Sequence, residues 1–367
     1  MPKHPTSSMN WERTRSLFPV TREVAYFNNA GVGPISSRVD EALRRYSAEA
    51  TRMGAFHYPR FFDAEVERVR ARAALLLNAS ADEIAFVKNT TEGLGIVAAG
   101  LDWQRGDQVL SCDLEYPSNV YPWWSLRDRG VETVMLRGRD GRLPLAVVEE
   151  ALRNPRVRLL ALSSVEFGSG ARNDLEALGG LCRERGVLFC VDAIQSVGCF
   201  PIDVENCGID FLAADGHKWM LSVEGLGGFY ISKRVMEDIH PAVVGWDSVI
   251  DSADYGNYDF TLKPDATRFE EGSLNTLGIY AFGAALALLE EEGIEHIEKR
   301  ILHLGDCILE YLRHGKFKIL SSTEPGERSG SVCFAGDMDY KKLAVFLREQ
   351  HVIVSVRDNF VRLSPHF

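Results

Sequence analysis

The chain has 367 residues, of which 46% are hydrophobic; this composition excludes an intrinsically disordered protein, and the length suggests more than one domain. The formal net charge is −11 at pH 7 and the basic residues are dispersed, which argues against nucleic acid or an anionic membrane as the main partner. The polar N-terminus lacks the apolar core of a signal peptide, and the apolar stretch 280–289 is too short to span a bilayer, so we expect a cytoplasmic protein.

The seven cysteines form no Cys-x-x-Cys pair, which indicates neither a disulfide framework nor a zinc site. Cys182, Cys190 and Cys199 lie in or beside apolar runs, where a thiol usually packs as a small hydrophobic group. We therefore expect reduced thiols throughout and no metal site.

The first predicted elements are a turn and two helices. Residues 26–34 start apolar and continue with Asn, Gly and Pro, which is typical of a turn, and a helix from about 37 to 52 follows. Residues 63–78 carry apolar side chains at helical spacing with charges opposite, which predicts an amphipathic helix.

A short strand at 84–88 is followed by Asn89, Thr90 and Thr91, which open a predicted helix that continues to about residue 99. Asn and Thr cap helices, and the first turn of a helix offers free amides and a positive dipole end to an anion. The pattern predicts either an ordinary cap or an anion site.

Strands and helices then alternate along the chain. Strands are predicted at 108–112, 132–136, 157–165 and 187–192, and helices at 145–152 and 174–185. Such alternation indicates parallel strands joined by right-handed crossovers. Asp192 ends an apolar run, so its carboxylate is expected at the C-terminal edge of the sheet, where open α/β folds bind ligands.

The next apolar run, 209–214, leads into a turn of small and polar residues that carries His217 and Lys218. A Lys at the mouth of a buried strand is partly desolvated, which lowers its pKa and makes its amine a nucleophile toward a carbonyl. The glycines at 225–228 predict a tight turn into an antiparallel strand.

Asp192, Gln195, His217 and Lys218, in this order and with strand patterns between them, resemble the fold-type I pyridoxal-phosphate enzymes. More narrowly the chain resembles the class V aminotransferase family, which includes cysteine desulfurases, selenocysteine lyases, kynureninases and isopenicillin N epimerase. The resemblance implies an α/β fold with a mostly parallel central sheet flanked by helices and a smaller α+β C-terminal domain. It implies a large cofactor-binding domain at 26–263 and a small domain made of 1–25 and 264–367.

The resemblance also implies the cofactor and its contacts. Lys218 would hold pyridoxal 5'-phosphate as a Schiff base, Asp192 would keep the ring nitrogen protonated, and Gln195 would hydrogen-bond the ring hydroxyl. The expected phosphate contacts are Thr90, Thr91, His217 and, from the second subunit of a homodimer, Ser273.

Three departures from the family pattern concern this site. Tyr116 stands where desulfurases place a His that stacks on the ring, which makes it the candidate stacking aromatic. Asp215 stands where the family commonly has a phosphate-contacting Ser, and because a carboxylate repels phosphate, we do not assign it that role. Ser164 replaces a desulfurase Asn, which leaves its contact open.

The C-terminal segment predicts a hairpin that carries the substrate contacts. Residues 354–357 and 361–366 alternate like two strands, with 358–359 at the turn. In the resemblance Arg362 matches the Arg that pairs bidentately with the substrate carboxylate, and Arg357 and Asn29 are weaker candidates. An amino acid bound in this way would pass its α-proton to the Lys218 amine.

The reaction is left open among several alternatives. We expect aminotransferase-type chemistry first, with a β-lyase or an epimerase close behind. No Cys follows Cys333, whereas desulfurases hold a nucleophilic Cys on a loop near here, so desulfurase activity ranks lower. A non-catalytic relative would lack Asp192 or Lys218, and a nucleotide-binding oxidoreductase would need a glycine fingerprint that is not found.

Overall fold

A computed structural model of the chain describes residues 11–54, 63–357 and 359–367. Residues 1–10 of the predicted small domain, and Asp358 of the predicted hairpin turn, lie outside the described residues. Within these ranges, no helix is both long and apolar enough to cross a bilayer.

The helices agree closely with the sequence pattern. In the described part of the chain they are α1 (Trp11–Ser16), α2 (Val20–Glu23), α3 (Ser37–Met53), α4 (Asp63–Leu75), α5 (Thr90–Gly100), α6 (Tyr121–Trp124), α7 (Leu145–Ala151), α8 (Leu175–Arg185), α9 (Thr276–Glu292), α10 (Ile294–Arg313) and α11 (Tyr340–Glu349). The predicted helix ends differ from the observed ones by a few residues, because capping interactions set where a helix begins. Asp174, for example, is the N-cap of α8, where its side chain accepts a hydrogen bond from the Ala177 amide.

Among the residues that the structure describes, the strands form one large sheet and two small ones. They are β1 (Ala25–Tyr26), β2 (Ile84–Val87), β3 (Gln108–Cys112), β4 (Glu132–Leu136), β5 (Val157–Ser163), β6 (Leu188–Asp192), β7 (Phe211–Asp215), β8 (Gly227–Ile231), β9 (Lys318–Ile319), β10 (Val332–Ala335), β11 (Val352–Ile353), β12 (Ser355–Val356) and β13 (Val361–Leu363).

The large sheet has seven strands in the order β2-β8-β7-β6-β5-β3-β4. Strands β3 to β7 run parallel, and β8 lies antiparallel between β7 and β2. This architecture confirms the predicted α/β fold with a mostly parallel central sheet. Since β2 has the same direction as the parallel strands, the N-terminus of α5 opens at the same edge as the C-terminal ends of β6 and β7.

Alternate residues of the central strands face the two sides of the large sheet. Leu160 and Leu162 of β5 belong to one hydrophobic core, whereas Leu159 and Ala161 belong to the other. This period of two is expected of a sheet covered by helices on both faces. Helix α9 packs its Phe282 into the first core although it lies beyond residue 263, and the division into domains at 26–263 stays a prediction.

The chain ends meet at the smaller sheets. The predicted hairpin is present: β12 and β13 pair antiparallel, with Ser355 opposite Arg362, in a sheet of order β12-β13-β10-β9. Strand β1 pairs in parallel with β11, and Asn28 forms a bridge to Ser364. The N-terminal turn is therefore held against the C-terminal segment, next to the C-terminal edge of the large sheet.

A buried ion pair ties edge strand β2 to the segment before α9. Arg70 contacts Glu270 through two hydrogen bonds of 2.6 and 3.0 Å, and both side chains are at most 3% exposed. Glu270 Oε1 also accepts a hydrogen bond from the Phe86 amide at 2.6 Å. The remaining polar atoms of the pair are thus satisfied, which is the condition for a buried ion pair to be tolerated.

We expect Glu270→Gln to lower the free energy of unfolding by about 3–5 kcal/mol, because it leaves the Arg70 charge buried without its partner. The matched control is Glu67→Gln. Glu67 contacts the same Arg70 at 3.2 Å, but its side chain is 63% exposed, so its loss should cost no more than about 1 kcal/mol. Urea denaturation measures both changes, and equal losses for the two variants would refute the structural role of the buried pair.

Candidate active site

A cavity of about 240 Å³ opens at the C-terminal edge of the large sheet. It lies where β6, β7 and the N-terminus of α5 converge, with the small sheet opposite. All predicted site residues except Asn29 and Ser273 line it, namely Thr90, Thr91, Tyr116, Asp192, Gln195, His217, Lys218, Arg357 and Arg362.

Lys218 lies on the turn after β7, and Asp192 is the last residue of β6. The turn is held by a hydrogen bond of 2.7 Å from the Gly33 amide to the His217 carbonyl. A Cβ at Gly33 would lie 2.2 Å from the Lys218 carbonyl oxygen, so only glycine permits this approach. Asp192 is buried, and its Oδ1 accepts a hydrogen bond of 3.0 Å from the Ile194 amide.

Burial shifts the pKa of both Lys218 and Asp192 in the direction that favours the neutral form. Desolvation lowers the pKa of Lys218 to about 8, although the Asp192 charge opposes this shift. Desolvation also raises the pKa of Asp192 to about 6, against the Ile194 hydrogen bond and the Lys218 charge. A substantial fraction of the Lys218 amine is therefore neutral near pH 8.

We predict that Lys218 in the cofactor-free protein reacts with an amine-modifying reagent with a midpoint near pH 8, because only the neutral amine is nucleophilic. In Asp192→Asn the midpoint should move to lower pH, since the lost negative charge no longer favours the ammonium form. Peptide mass spectrometry over a pH series measures the midpoint. Lys233 is the internal control: its hydrogen bond and ion pair with Asp82 raise its pKa, so its midpoint should lie well above that of Lys218. A Lys218 midpoint as high as that of Lys233 would contradict the desolvated amine.

The orientation of the Gln195 amide follows from the chemistry of its neighbours. Trp219 Nε1 can only donate, and it lies 2.9 Å from Gln195 Oε1. The Ala30 carbonyl can only accept, and it lies 3.1 Å from Gln195 Nε2. Gln195 is therefore left with one N–H to offer to the cavity, so it can act there as a donor.

The N-terminus of α5 forms another wall of the cavity. Asn89 is its N-cap, and its side chain accepts a hydrogen bond of 2.9 Å from the Glu92 amide. Thr90 Oγ1 accepts a hydrogen bond from the Asp215 amide at 3.1 Å, and Thr91 Oγ1 donates to Ser118 Oγ at 2.9 Å. The first amides of a helix have no partner within the helix, so this wall is suited to an anion.

Arg362 reaches the cavity from β13. It is 3% exposed, and one terminal nitrogen donates a hydrogen bond of 2.7 Å to the Phe167 carbonyl. Its Nε is buried with no hydrogen-bond partner among the described residues. Desolvation lowers the pKa of Arg362 to about 10, so it stays cationic at neutral pH. Arg357 also lines the cavity but is exposed.

Two aromatic rings form the outer wall. Tyr116 is 47% exposed, and its ring centroid lies 5.7 Å from Lys218 Nζ. Phe167 packs edge-on against Tyr116 with centroids 5.2 Å apart. Each ring directly follows a buried glutamate: Glu115 accepts hydrogen bonds from the amide and hydroxyl of Ser163, and Glu166 accepts one from the Asn173 amide group.

The sequence did not identify Phe167 or Ser118 as lining residues. Phe167 lies in the turn after β5. Because the turns after parallel strands open at one edge of the sheet, the strand pattern alone could have nominated this turn as part of the site. Ser118 lies close to Tyr116 in the chain, and only the fold shows that its hydroxyl faces Thr91.

Three other positions lie outside the lining. Asn29 is buried, and its Nδ2 donates to the Ser364 carbonyl at 2.8 Å, so it positions the turn whose Ala30 and Gly31 do line the cavity. Ser273 is exposed. Ser164, whose role was open, is buried and its Oγ lies within hydrogen-bond distance of the Asp192 carbonyl, at 3.2 Å, and of the Ser196 hydroxyl, at 2.5 Å.

Comparison with known proteins decides the family. The model of the aminotransferase class-V family matches residues 25–358. This chain belongs to the class V aminotransferase family. A probable cysteine desulfurase of Pyrococcus abyssi (strain GE5 / Orsay) is 34% identical over 297 residues, covering 79% of this chain and 73% of the relative.

Solved structures of similar proteins have the same fold. The apo cysteine desulfurase from Thermococcus onnurineus NA1 has a TM-score of 0.90 at 27% identity and covers 98% of this chain and 94% of that one. C-DES with glycine covalently linked to its pyridoxal phosphate cofactor has a TM-score of 0.89 at 25% identity, covering 96% and 94%. C-DES, described as a cystine C-S lyase, in complex with its reaction product cysteine persulfide has a TM-score of 0.88 at 25% identity, covering 95% and 94%.

Class V enzymes work with pyridoxal phosphate, so this chain is an enzyme that uses this cofactor. The residues present fit the group. The cavity offers an amine, a carboxylate, one free amide N–H and a helix N-terminus, which match an aldehyde, a ring nitrogen, a ring oxygen and a phosphate. The buried Arg362 Nε, without a partner, provides a donor for a further anion.

Proposed function

We propose that this class V enzyme is a lyase that eliminates a sulfur substituent from the β-carbon of a cysteine-type amino acid such as cystine. One observation carries the proposal: Lys218 and Arg362 face one cavity, and no cysteine is among the described residues that line it. The relationship to cysteine desulfurases and to a cystine C-S lyase supports a sulfur-containing amino acid as the substrate.

The state of the thiols favours a lyase over a persulfide-forming desulfurase. A desulfurase mechanism needs a thiolate of low pKa that can reach the substrate sulfur. Cys333 is opposite Arg362 in the small sheet, but it is buried and desolvation raises its pKa to about 11. Cys307, the exposed thiol, lies on α10 and does not line the cavity.

The chain's own residues would perform the proposed reaction as follows. Arg362 binds the substrate carboxylate and so points the α-carbon hydrogen toward Lys218. The Lys218 amine takes that proton, and the sulfur leaves the β-carbon with the bonding electron pair. Water then completes the reaction, which from cystine gives pyruvate, ammonia and cysteine persulfide.

The cofactor contacts follow from the same geometry. Pyridoxal phosphate, when bound, supplies the electron sink that stabilises negative charge at the α-carbon. Asp192 would keep a proton on the ring nitrogen, and Gln195 would donate its free N–H to the ring oxygen. Tyr116 would cover the ring face. The anchors proposed for the phosphate are Thr90, Thr91 and His217.

A panel of amino acids, supplied with and without a keto acid, tests the reaction. We expect pyruvate from cystine without any acceptor. Amino-group transfer that requires the keto acid would overturn the lyase proposal in favour of transamination, and inversion at the α-carbon without loss of sulfur would favour epimerisation. Turnover of none of these substrates would refute a sulfur-containing amino acid as the substrate.

We further propose a homodimer in which Ser273 reaches the partner's phosphate site. Ser273 is exposed and lies outside this chain's own cavity. The nearby segment 243–260 carries exposed apolar side chains, among them Trp246 at 51% and Tyr258 at 100% exposure, which is typical of a surface that another chain covers.

Mixing two inactive variants tests the contact between subunits. A dimer of one Lys218→Ala chain and one Ser273→Asp chain contains one intact site if Ser273 acts on the partner, so activity should return on mixing. If Ser273 acts within its own chain, both sites stay defective. Light scattering of the unmixed protein checks the dimer itself, and a monomer would refute it.

A further inference from the structure

Asp215 places a carboxylate at the anchoring end of the cavity, where an uncharged Ser is expected. It is the last residue of β7 and is 4% exposed, and it lines the cavity beside Thr90 and Thr91. Its own amide donates to Thr90 Oγ1, so the carboxylate is fixed next to the N-terminus of α5. A bare carboxylate here would repel a phosphate dianion.

The neighbour of this carboxylate is His217. Its Nδ1 lies 3.0 Å from Asp215 Oδ2, within ion-pair distance but without the alignment of a hydrogen bond. The other oxygen, Oδ1, is buried with no hydrogen-bond partner among the described residues. Two residues that line the cavity therefore have unused hydrogen-bonding capacity.

The protonation state of the imidazole decides what this pair can bind. If the proton of a neutral ring is on Nδ1, the nitrogen next to Asp215, then Nε2 presents a lone pair on the other side of the ring and repels an anion. An imidazolium carries N–H on both nitrogens, so it can contact Asp215 on one side and a phosphate oxygen on the other.

We propose that the phosphate end of this site binds its ligand together with a proton, which His217 holds between Asp215 and the phosphate. Asp215 is then a positioning residue that acts through His217. The inference deepens the cofactor site of the proposed enzyme and rests on that assignment, but it does not depend on which reaction the enzyme performs.

Other charged groups also line the cavity, but the proton beside the phosphate is assigned to His217 and Asp215. The titratable and charged groups that line it from the neighbouring elements are Asp192, Lys218, Tyr116, Arg357 and Arg362. Asp215 raises the Lys218 pKa, which shows that its charge reaches the amine. Because binding takes up a proton, affinity for a phosphorylated ligand should fall about tenfold for each unit of rising pH wherever one proton is taken up per ligand.

Calorimetry of the cofactor-free protein with pyridoxine 5'-phosphate tests the proposal, since this probe has no aldehyde to react with Lys218. Titrations at pH 8 in two buffers of different ionisation enthalpy give the number of protons taken up. At this pH a free imidazole is neutral and a free phosphate monoester is a dianion. We expect uptake of about one proton per ligand in the wild type, and none with unphosphorylated pyridoxine.

Two variants locate the proton. Asp215→Ser and His217→Gln should both bind the probe with no proton uptake and with affinity that hardly changes with pH. No uptake in the wild type, or undiminished uptake in both variants, would overturn the proposal, the second because the proton would then lie on the phosphate. Failure of the probe to bind wild-type protein would also overturn it.

Nitrogen NMR of the wild-type complex measures the protonation state of the His217 ring directly, so this test does not depend on a variant that binds the probe. The His217 signal, identified by its absence in His217→Gln, should be that of an imidazolium at pH 8; a neutral ring would refute the proposal. Proton uptake without pyruvate release from cystine would leave this inference intact and refute the proposed reaction alone.

Discussion

Lys218→Ala is expected to lower turnover of the amino-acid substrate by about 10⁴-fold, the upper range for loss of a general base. The Lys218 amine is desolvated, its pKa is lowered to about 8, and it shares the cavity with Asp192. Among the described lysines, Lys218 alone lines this cavity. Steady-state kinetics with cystine, in the presence of saturating cofactor, measures the loss.

The matched control for this variant is Lys233→Ala. Lys233 is exposed and pairs with Asp82, and neither residue lines the cavity, so its removal should leave turnover within about twofold of the wild type. Binding of pyridoxine 5'-phosphate to Lys218→Ala should persist, which separates lost chemistry from lost folding. Turnover by Lys218→Ala within about tenfold of the wild type would refute the role of the amine.

Arg362→Leu is expected to lower kcat/KM by about 10²–10³-fold, since two charge-assisted hydrogen bonds to a carboxylate are worth about 3–4 kcal/mol. The loss should fall mainly on KM, because the carboxylate is bound in the ground state and in the transition state alike. Arg362→Lys keeps the charge but not the planar fork, and it should give an intermediate value.

A substrate analogue distinguishes substrate binding from a structural effect. Arg362 also donates to the Phe167 carbonyl, so its removal can disturb the cavity wall. An amine analogue without the carboxylate should react equally slowly in the wild type and in Arg362→Leu. A further loss of similar size with this analogue would mean that Arg362 is structural. Arg357→Ala, at an exposed position, is the control and should cost less than about tenfold.

Residues at the ends of buried strands were the most accessible to prediction. Asp192 and Lys218 follow apolar runs, and parallel strands joined by right-handed crossovers bring such ends to one edge of the sheet. The N-cap at Asn89 could also be predicted, because capping is a local interaction between neighbours in the chain.

Features that depend on distant parts of the chain could not be derived from local patterns. Asn29 is buried because its side chain meets Ser364 at the far end of the sequence. Helix α9 is apolar nearly all round, which indicates burial but does not say which core receives it, and the structure places Phe282 in the main one. The contact of Asp215 with His217 depends on side-chain placement in a turn, for which periodicity carries no signal.

Chemical trapping identifies the amine that holds the cofactor aldehyde. The protein is loaded with pyridoxal phosphate, reduced with borohydride and digested, and the modified lysine is identified by peptide mass spectrometry. The account predicts a single pyridoxyl modification, at Lys218, that disappears in Lys218→Ala. Modification of a different lysine, or no modification of the loaded wild-type protein, would contradict it.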